Sequence, residues 1–172
     1  MSEKNALTAE GRRDKREEEL VLTFVVGREQ FALPLLNVRE IIGYVPPIPI
    51  PHSPDYLKGI INLRGRIIPV MDLRTKFQMP AAAITQQTCI IVAESSRGGK
   101  TELAGLLVDR VLEVLEINSN DIEPPAEMLT DASFLQGLIR SDSCVRLLLD
   151  IDQTLCDAPA LLTGADQAMA AS

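Results

Sequence analysis

Residues 57–73, LKGIINLRGRIIPVMDL, set two arginines around a glycine inside an otherwise apolar run. The segments GIIN and RIIPVM are short, β-branched and bounded by turn residues, so they read as strands. Gly65 supplies the turn between them. Arg64 and Arg66 flank that turn and point outward, while Ile60, Ile61, Ile67 and Ile68 are assigned to the core. Asp72 follows the second strand and caps one helical turn, LRTKF.

The pattern recurs 78 residues later without a gap. LKGIIN (57–62) lies over LQGLIR (135–140), which matches Leu57 to Leu135, Gly59 to Gly137 and Ile61 to Ile139. The same offset places Val70-Met71-Asp72-Leu73 on Leu148-Leu149-Asp150-Ile151 and Phe77 on Leu155. Upstream, FALPLLNVREII (31–42) lies over AGLLVDRVLEVL (104–115) at offset 73, pairing Leu33 with Leu106, Val38 with Val111 and Glu40 with Glu113. LTFVV and CIIVA open the two halves. The common order of these matches points to a duplicated unit and two similar small barrels.

The remaining strand signals are LVLTFVVG, FALPLL, TCIIVAE, ELAGLLV, RVLEVLEI, FLQGLIRS and VRLLLD, with GREQ, SSRGGK and SDS as hairpin connections. Ser53-Pro54-Asp55 has the form of a helix start that Gly59 ends early. Residues 1–19 mix charges of both signs and read as a disordered tail. The folded body is set at 20–157, with a first barrel at about 20–80 and a second at about 85–157, strand exchange between them left open. The alanine-rich residues 158–172 form a short helix and a loose end.

Composition narrows the function. The chain has 172 residues, a formal net charge of −7 and no Trp, so neither the basic face nor the stacking platform of a nucleic-acid binder is supplied. No apolar run is long enough to span a membrane, and the N-terminus lacks a secretory signal, so the cytoplasm is expected. Cys89, Cys144 and Cys156 lack the spacing of a disulfide framework or zinc site; Cys89 and Cys144 read as core thiols in apolar strands. His52 is the only histidine, in a proline-rich loop without a partner. Gly99-Lys100-Thr101 lacks the earlier glycine of a phosphate-binding loop, since position 94 is Glu94. Asp150 and Asp152 form a DxD, but the match to Asp72 makes Asp150 a cap rather than a metal ligand. No nucleophile and base can be assembled, and neither a metal nor a cofactor is implied.

The repeat also filters for function. Gly59/Gly137 and Asp72/Asp150 occur in both halves and read as structural. NLRGR has only RSDSC as its counterpart, so Arg64 and Arg66 are candidates to meet a carboxylate or carbonyl of a partner. NVREIIGYVPPIPIP is the second asymmetric feature. Val38, Glu40 and Ile41 lie in a strand whose further pairing the following prolines prevent.

LKGIINLRGRIIPVMDLRTKF, preceded by VREIIGYVPPIPIPHSPDY and followed by GLLVDRVLEVLEI and FLQGLIR, resembles the CheW family of chemotaxis coupling proteins over about residues 20–157. The resemblance implies a mainly β fold of two SH3-like five-stranded β-barrels packed around a shared hydrophobic core. It also implies a non-enzymatic adaptor, recruited to membrane-associated arrays, that joins the regulatory domain of the histidine kinase CheA to chemoreceptor cytoplasmic tips. By position, Val38, Glu40, Ile41, Gly59, Asn62 and Arg64 fall on the family's kinase- and receptor-binding surface, with Arg66 a weaker match. The second barrel's contacts are not named by any motif. A rival reading, a small β-barrel module for another ligand or nucleic acid, needs a basic or aromatic surface or a catalytic pair, and the sequence offers neither.

Overall fold

The computed structural model describes residues 18–97, 99–125, 133–141 and 143–155. The C-terminal tail, Cys156 and all but two residues of the expected N-terminal tail lie outside them. In chain order the elements are β1 (Glu18–Val26), β2 (Glu29–Pro34), β3 (Val38–Gly43), β4 (Leu57–Leu63), β5 (Arg66–Asp72), α1 (Leu73–Lys76), β6 (Cys89–Arg97) and β7 (Lys100–Val108). They continue with β8 (Arg110–Asn118), β9 (Ile122–Glu123), β10 (Leu135–Arg140), β11 (Val145–Leu149) and α2 (Ile151–Thr154). Ser53-Pro54-Asp55 forms a turn rather than the expected helix. The Ser53 hydroxyl donates to Ile50 O at 2.8 Å instead of capping, and β4 begins at Leu57.

Two sheets result: a six-stranded one ordered β8-β1-β2-β11-β10-β9 and a five-stranded one ordered β3-β6-β7-β5-β4. Each is the image of the other under the repeat. The parallel pair Val70↔Gly105 becomes Leu148↔Ala32, and Leu57↔Met71 becomes Leu135↔Leu149. At the opening strands the match runs two residues beyond the sequence alignment. Leu22 pairs with Leu33 as Ile91 pairs with Leu106, so Leu22 takes the place of Ile91, not of Cys89. The sixth strand, β9, corresponds to a single bridge in the other sheet, Ile48↔Ile60. The proline run therefore does pair once, through Ile48 between Pro47 and Pro49, with bonds of 2.8 and 2.9 Å.

The sheets do not divide the chain at residues 80–85. β1 and β2 join β8–β11, and β6 and β7 join β3–β5, so each repeat lends its opening hairpin to the other. The connections enforce this. Asp109 alone separates β7 from β8, and one 3₁₀ turn, Leu35–Asn37, separates β2 from β3. Here these short joints carry the chain from one sheet to the other rather than folding it back as a hairpin.

Strand alternation then buries both faces of each sheet. In β7, Ala104, Leu106 and Val108 face the layer between the sheets, while Leu107 joins Ile61, Ile68, Val70, Ile90 and Val92 inside the five-stranded sheet. Val21, Ala32, Ile117, Ile139 and Leu148 fill the six-stranded one. A sheet with its own interior cluster must curl around it, which is the barrel geometry. Of the four isoleucines expected in the core, Ile61 and Ile68 are buried, whereas Ile60 and Ile67 sit on the opposite face and are half-exposed. All four phenylalanines stack in series, with centroids 5.8 Å apart for Phe24–Phe31, 5.1 Å for Phe31–Phe77 and 4.7 Å for Phe77–Phe134.

Gly59 and Gly137 stand at equivalent register shifts next to β4 and β10 starts. Gly59 has φ +142°, and a Cβ there would lie 2.0 Å from Ile48 O. At Gly137 a Cβ would lie 2.5 Å from Ile122 Cγ2 and 2.7 Å from Glu123 O. In both barrels the glycine lets a neighbouring backbone approach. Gly59→Ala is expected to lower stability by about 2 kcal/mol or more, with the same sign for Gly137→Ala. Urea midpoints at unchanged m-value check this.

Candidate functional site

β3 and β4 are the two edges of the five-stranded sheet. The β4–β5 hairpin closes on the pair Leu63↔Arg66, which leaves Arg64 and Gly65 as the corner residues, at φ 52° and 85°. Two successive positive φ values make the type I′ turn that matches strand twist. Arg64 is thus part of the turn rather than its flank, in a conformation that disfavours a non-glycine residue. Asn62 offsets this, because its Oδ1 accepts from Gly65 N–H at 2.9 Å.

From this corner the Arg64 guanidinium reaches the Glu40 carboxylate on β3 and bridges the two edges. Arg64 is 76% exposed and Glu40 22%. The second oxygen of Glu40, Oε1, is buried without a hydrogen-bond partner among the described residues. The expectation of an uncommitted outward Arg64 is therefore corrected: it is outward, and it is paired. Arg66 is exposed and has no ion-pair partner among the described residues. On β3, Val38 is half-buried and Ile41 is 44% exposed. Gly59 lies in the interior, as described, and presents no surface. The structure thus brings Val38, Glu40, Ile41, Asn62 and Arg64 to one edge and leaves Gly59 beneath it.

Sequence reasoning named no contact in the second half. The sheet equivalence supplies them, since β8 occupies the place of β3 and Val114 the place of Ile41. Val114 and Leu20 are each 48% exposed, and Leu112 36%. The signal was present in the offset of 73 residues, but features shared by both halves had been set aside as structural. Glu113, the counterpart of Glu40, is held differently. Its N–H donates to Thr23 Oγ1 at 3.1 Å, and that hydroxyl donates to Glu113 O at 2.8 Å.

Charge also divides the halves. Residues 38–108, which build the five-stranded sheet, hold eight Lys/Arg and five Asp/Glu. Residues 18–34 and 109–157 together hold four Lys/Arg and fourteen Asp/Glu.

The most elaborate ion pair is not at either edge. Arg74 donates to Asp109 through Nε at 2.9 Å and Nη2 at 2.5 Å, and to Pro80 O through Nη1 at 2.9 Å. Gly27 N–H donates to the same carboxylate at 2.7 Å. This joins the β1–β2 turn, the β7–β8 joint and α1 beside a polar cleft of about 270 Å³. Hydrogen bonding to Asp109 outweighs desolvation and raises the Arg74 pKa further.

The residues weighed for chemistry have structural roles. Asp72 Oδ1 accepts from Arg74 N–H at 3.0 Å and Asp150 Oδ1 from Gln153 N–H at 3.2 Å, so both are N-caps. Asp152 accepts from the Ser95 hydroxyl. Burial raises the pKa of the Cys89 thiol, which packs against the inter-sheet core. Cys144 lies just before β11, not within a strand, and is half-buried beside Ser141. His52 is an exposed turn residue. Among the described residues no group of three or more His, Cys, Asp or Glu is placed to hold a metal ion.

Comparison with known proteins follows this geometry. The family model of the CheW-like domain matches residues 20–158. Chemotaxis protein CheW of Rhizobium meliloti (strain 1021) is 36% identical over 134 residues, 77% of this chain and 84% of the relative. Chemotaxis protein CheW of Thermotoga maritima is 33% identical over 142 residues, 83% of this chain and 91% of the relative. The crystal structure of scaffolding protein TtCheW from Thermoanaerobacter tengcongensis superposes with a TM-score of 0.70 at 34% identity, covering 77% of this chain and 88% of that one.

The two ion pairs should respond differently to truncation. Arg74→Ala is expected to cost about 1–3 kcal/mol, because Asp109 and Gly27 lose a partly buried network. Arg64→Ala should change stability by less than about 1 kcal/mol, as for exposed pairs. Parallel urea denaturation of the two variants separates them.

Proposed function

The chain belongs to the CheW family of chemotaxis adaptor proteins, and we propose that it couples the cytoplasmic tip of a methyl-accepting chemoreceptor to the regulatory domain of the histidine kinase CheA. It is a non-catalytic scaffold. Among the described residues no helix is long and apolar enough to cross a membrane, and recruitment to membrane-associated arrays is by docking.

One observation carries the proposal: apolar side chains stand exposed at equivalent positions of two edge strands, Ile41 on β3 and Val114 on β8. A coupling protein has to hold more than one partner, and two like edges on one rigid body support that. The β3 edge, with Val38, Ile41 and the Glu40–Arg64 bridge, is assigned to kinase and receptor contacts. Asn62 keeps the hairpin in shape, Gly59 supports it from below, and Arg66 adds an uncommitted cation. The β8 edge, with Leu20, Leu112 and Val114, is assigned as the second contact. Individually modest contacts gain from the multivalency of an array.

Capture by a receptor cytoplasmic fragment and by CheA tests this. Arg64→Glu places two carboxylates together at the edge, and Ile41→Asp removes its apolar contact. Each is expected to weaken capture by about tenfold, equivalent to about 1.4 kcal/mol, with the far-UV circular dichroism of the fold retained. Unchanged capture of both partners by folded Arg64→Glu would remove the role given to Arg64. The reversed pair Glu40→Arg/Arg64→Glu should recover part of the loss, since it restores the bridge between the edges.

A further inference from the structure

The β1–β8 face combines apolar exposure with unneutralised acid. Leu20 pairs with Glu116 and Leu22 with Val114, so Leu20 and Val114 are diagonal neighbours on one face. Leu112 lies beside them at the register shift. β8 ends the sheet, so its outer backbone edge has no strand neighbour among the described residues. Glu113 and Glu116 are exposed and have no ion-pair partner among the described residues. Exposed apolar strands of this kind invite pairing unless covered or charged.

The segment directly preceding this face has the opposite character. Gly11–Arg16, GRRDKR, carries Arg12, Arg13, Lys15 and Arg16 against the single Asp14. It joins β1 at Glu18, which pairs with Asn118 at one end of β8. Connectivity therefore delivers four cations to the end of the acidic strand. Length is sufficient: a 17-residue segment reaches up to roughly 55 Å extended, and nine-residue β8 spans roughly 30 Å. A short tether also supplies an effective concentration on the order of millimolar, which populates contacts too weak to form between separate molecules. A second copy of the same face is disfavoured, because it would set acid against acid.

We propose that residues 1–17 fold back as a strap over the Leu20–Leu112–Val114 strip, with Arg12, Arg13, Lys15 and Arg16 set against Glu113 and Glu116. The strap covers the β8 edge in the free protein and must be displaced before a partner docks there. Only this competitive consequence rests on the function proposed above; the strap itself rests on charge and connectivity.

The test compares the full chain with its variant Arg12→Gln/Arg13→Gln/Lys15→Gln/Arg16→Gln by amide and methyl NMR. Neutralisation is expected to shift the signals of Leu20, Leu112, Val114 and Glu116, and about 0.5 M NaCl should shift them the same way in the unaltered chain by screening the pairs. Superimposable strip signals would overturn the strap. So would strip signals that ignore the tail but change with protein concentration as a dimer forms in sedimentation, which would make a second copy the occupant. In a second arm, the variant should bind a receptor cytoplasmic fragment roughly twofold to fivefold more tightly. Shifted strip signals with unchanged receptor affinity would uphold the strap and refute receptor docking at β8.

Discussion

The stack of Phe24, Phe31, Phe77 and Phe134 is where the two halves of this chain cease to be separable. Phe24 and Phe31 come from the opening hairpin, Phe77 follows α1 and Phe134 precedes β10. Aromatic pairs at these separations add about 0.5–1.5 kcal/mol each beyond area burial. Their larger effect is positional: they lock an exchanged hairpin between two curled sheets. Removing either sheet would expose the inner layer of Leu33, Met71, Leu106 and Leu149 on the other. The core between the sheets is therefore the condition for both barrels.

That rigid frame gives the docking edges their definition. An ion pair as exposed as Glu40–Arg64 adds little to stability. Its value is geometric, because it spans the opening between β3 and the β4–β5 corner and holds Ile41 in a fixed relation to the hairpin. The strained corner costs backbone energy that Asn62 partly offsets. Load is borne elsewhere, at the Arg74–Asp109 joint, where three elements from both sheets meet one carboxylate.

Much of this was legible in the sequence, and the failures have physical causes. Periodicity and the offsets of 73 and 78 residues located the strands, the shared glycines and both capping aspartates, since those depend on local patterns. The exchange of hairpins was not legible, because the alignment shows which strands correspond but not which ones pair. Ile60 and Ile67 were misplaced because a run of adjacent isoleucines hides the alternation of a strand. Arg64 was recognised as exposed, yet its partner Glu40 lies 24 residues away, and only the curl of the sheet brings the edges together. The β8 contacts were hidden by the assumption that repeated features serve structure alone. In a pseudo-symmetric scaffold, repetition is also how a second docking edge arises.

The exchanged hairpin has a consequence for synthesis. The five-stranded sheet is encoded without interruption by residues 38–108, but the six-stranded sheet needs β1 and β2 together with β8, β10 and β11. During translation the first hairpin emerges long before the strands it pairs with, while the middle of the chain already has every partner of its own sheet. Folding as the chain grows would thus begin in the centre and end by gathering the two flanks. The earliest segment made is among the last to find its place, and until then its edges are open to other chains. A protein made of two look-alike halves is in this respect built as a centre and a wrapping.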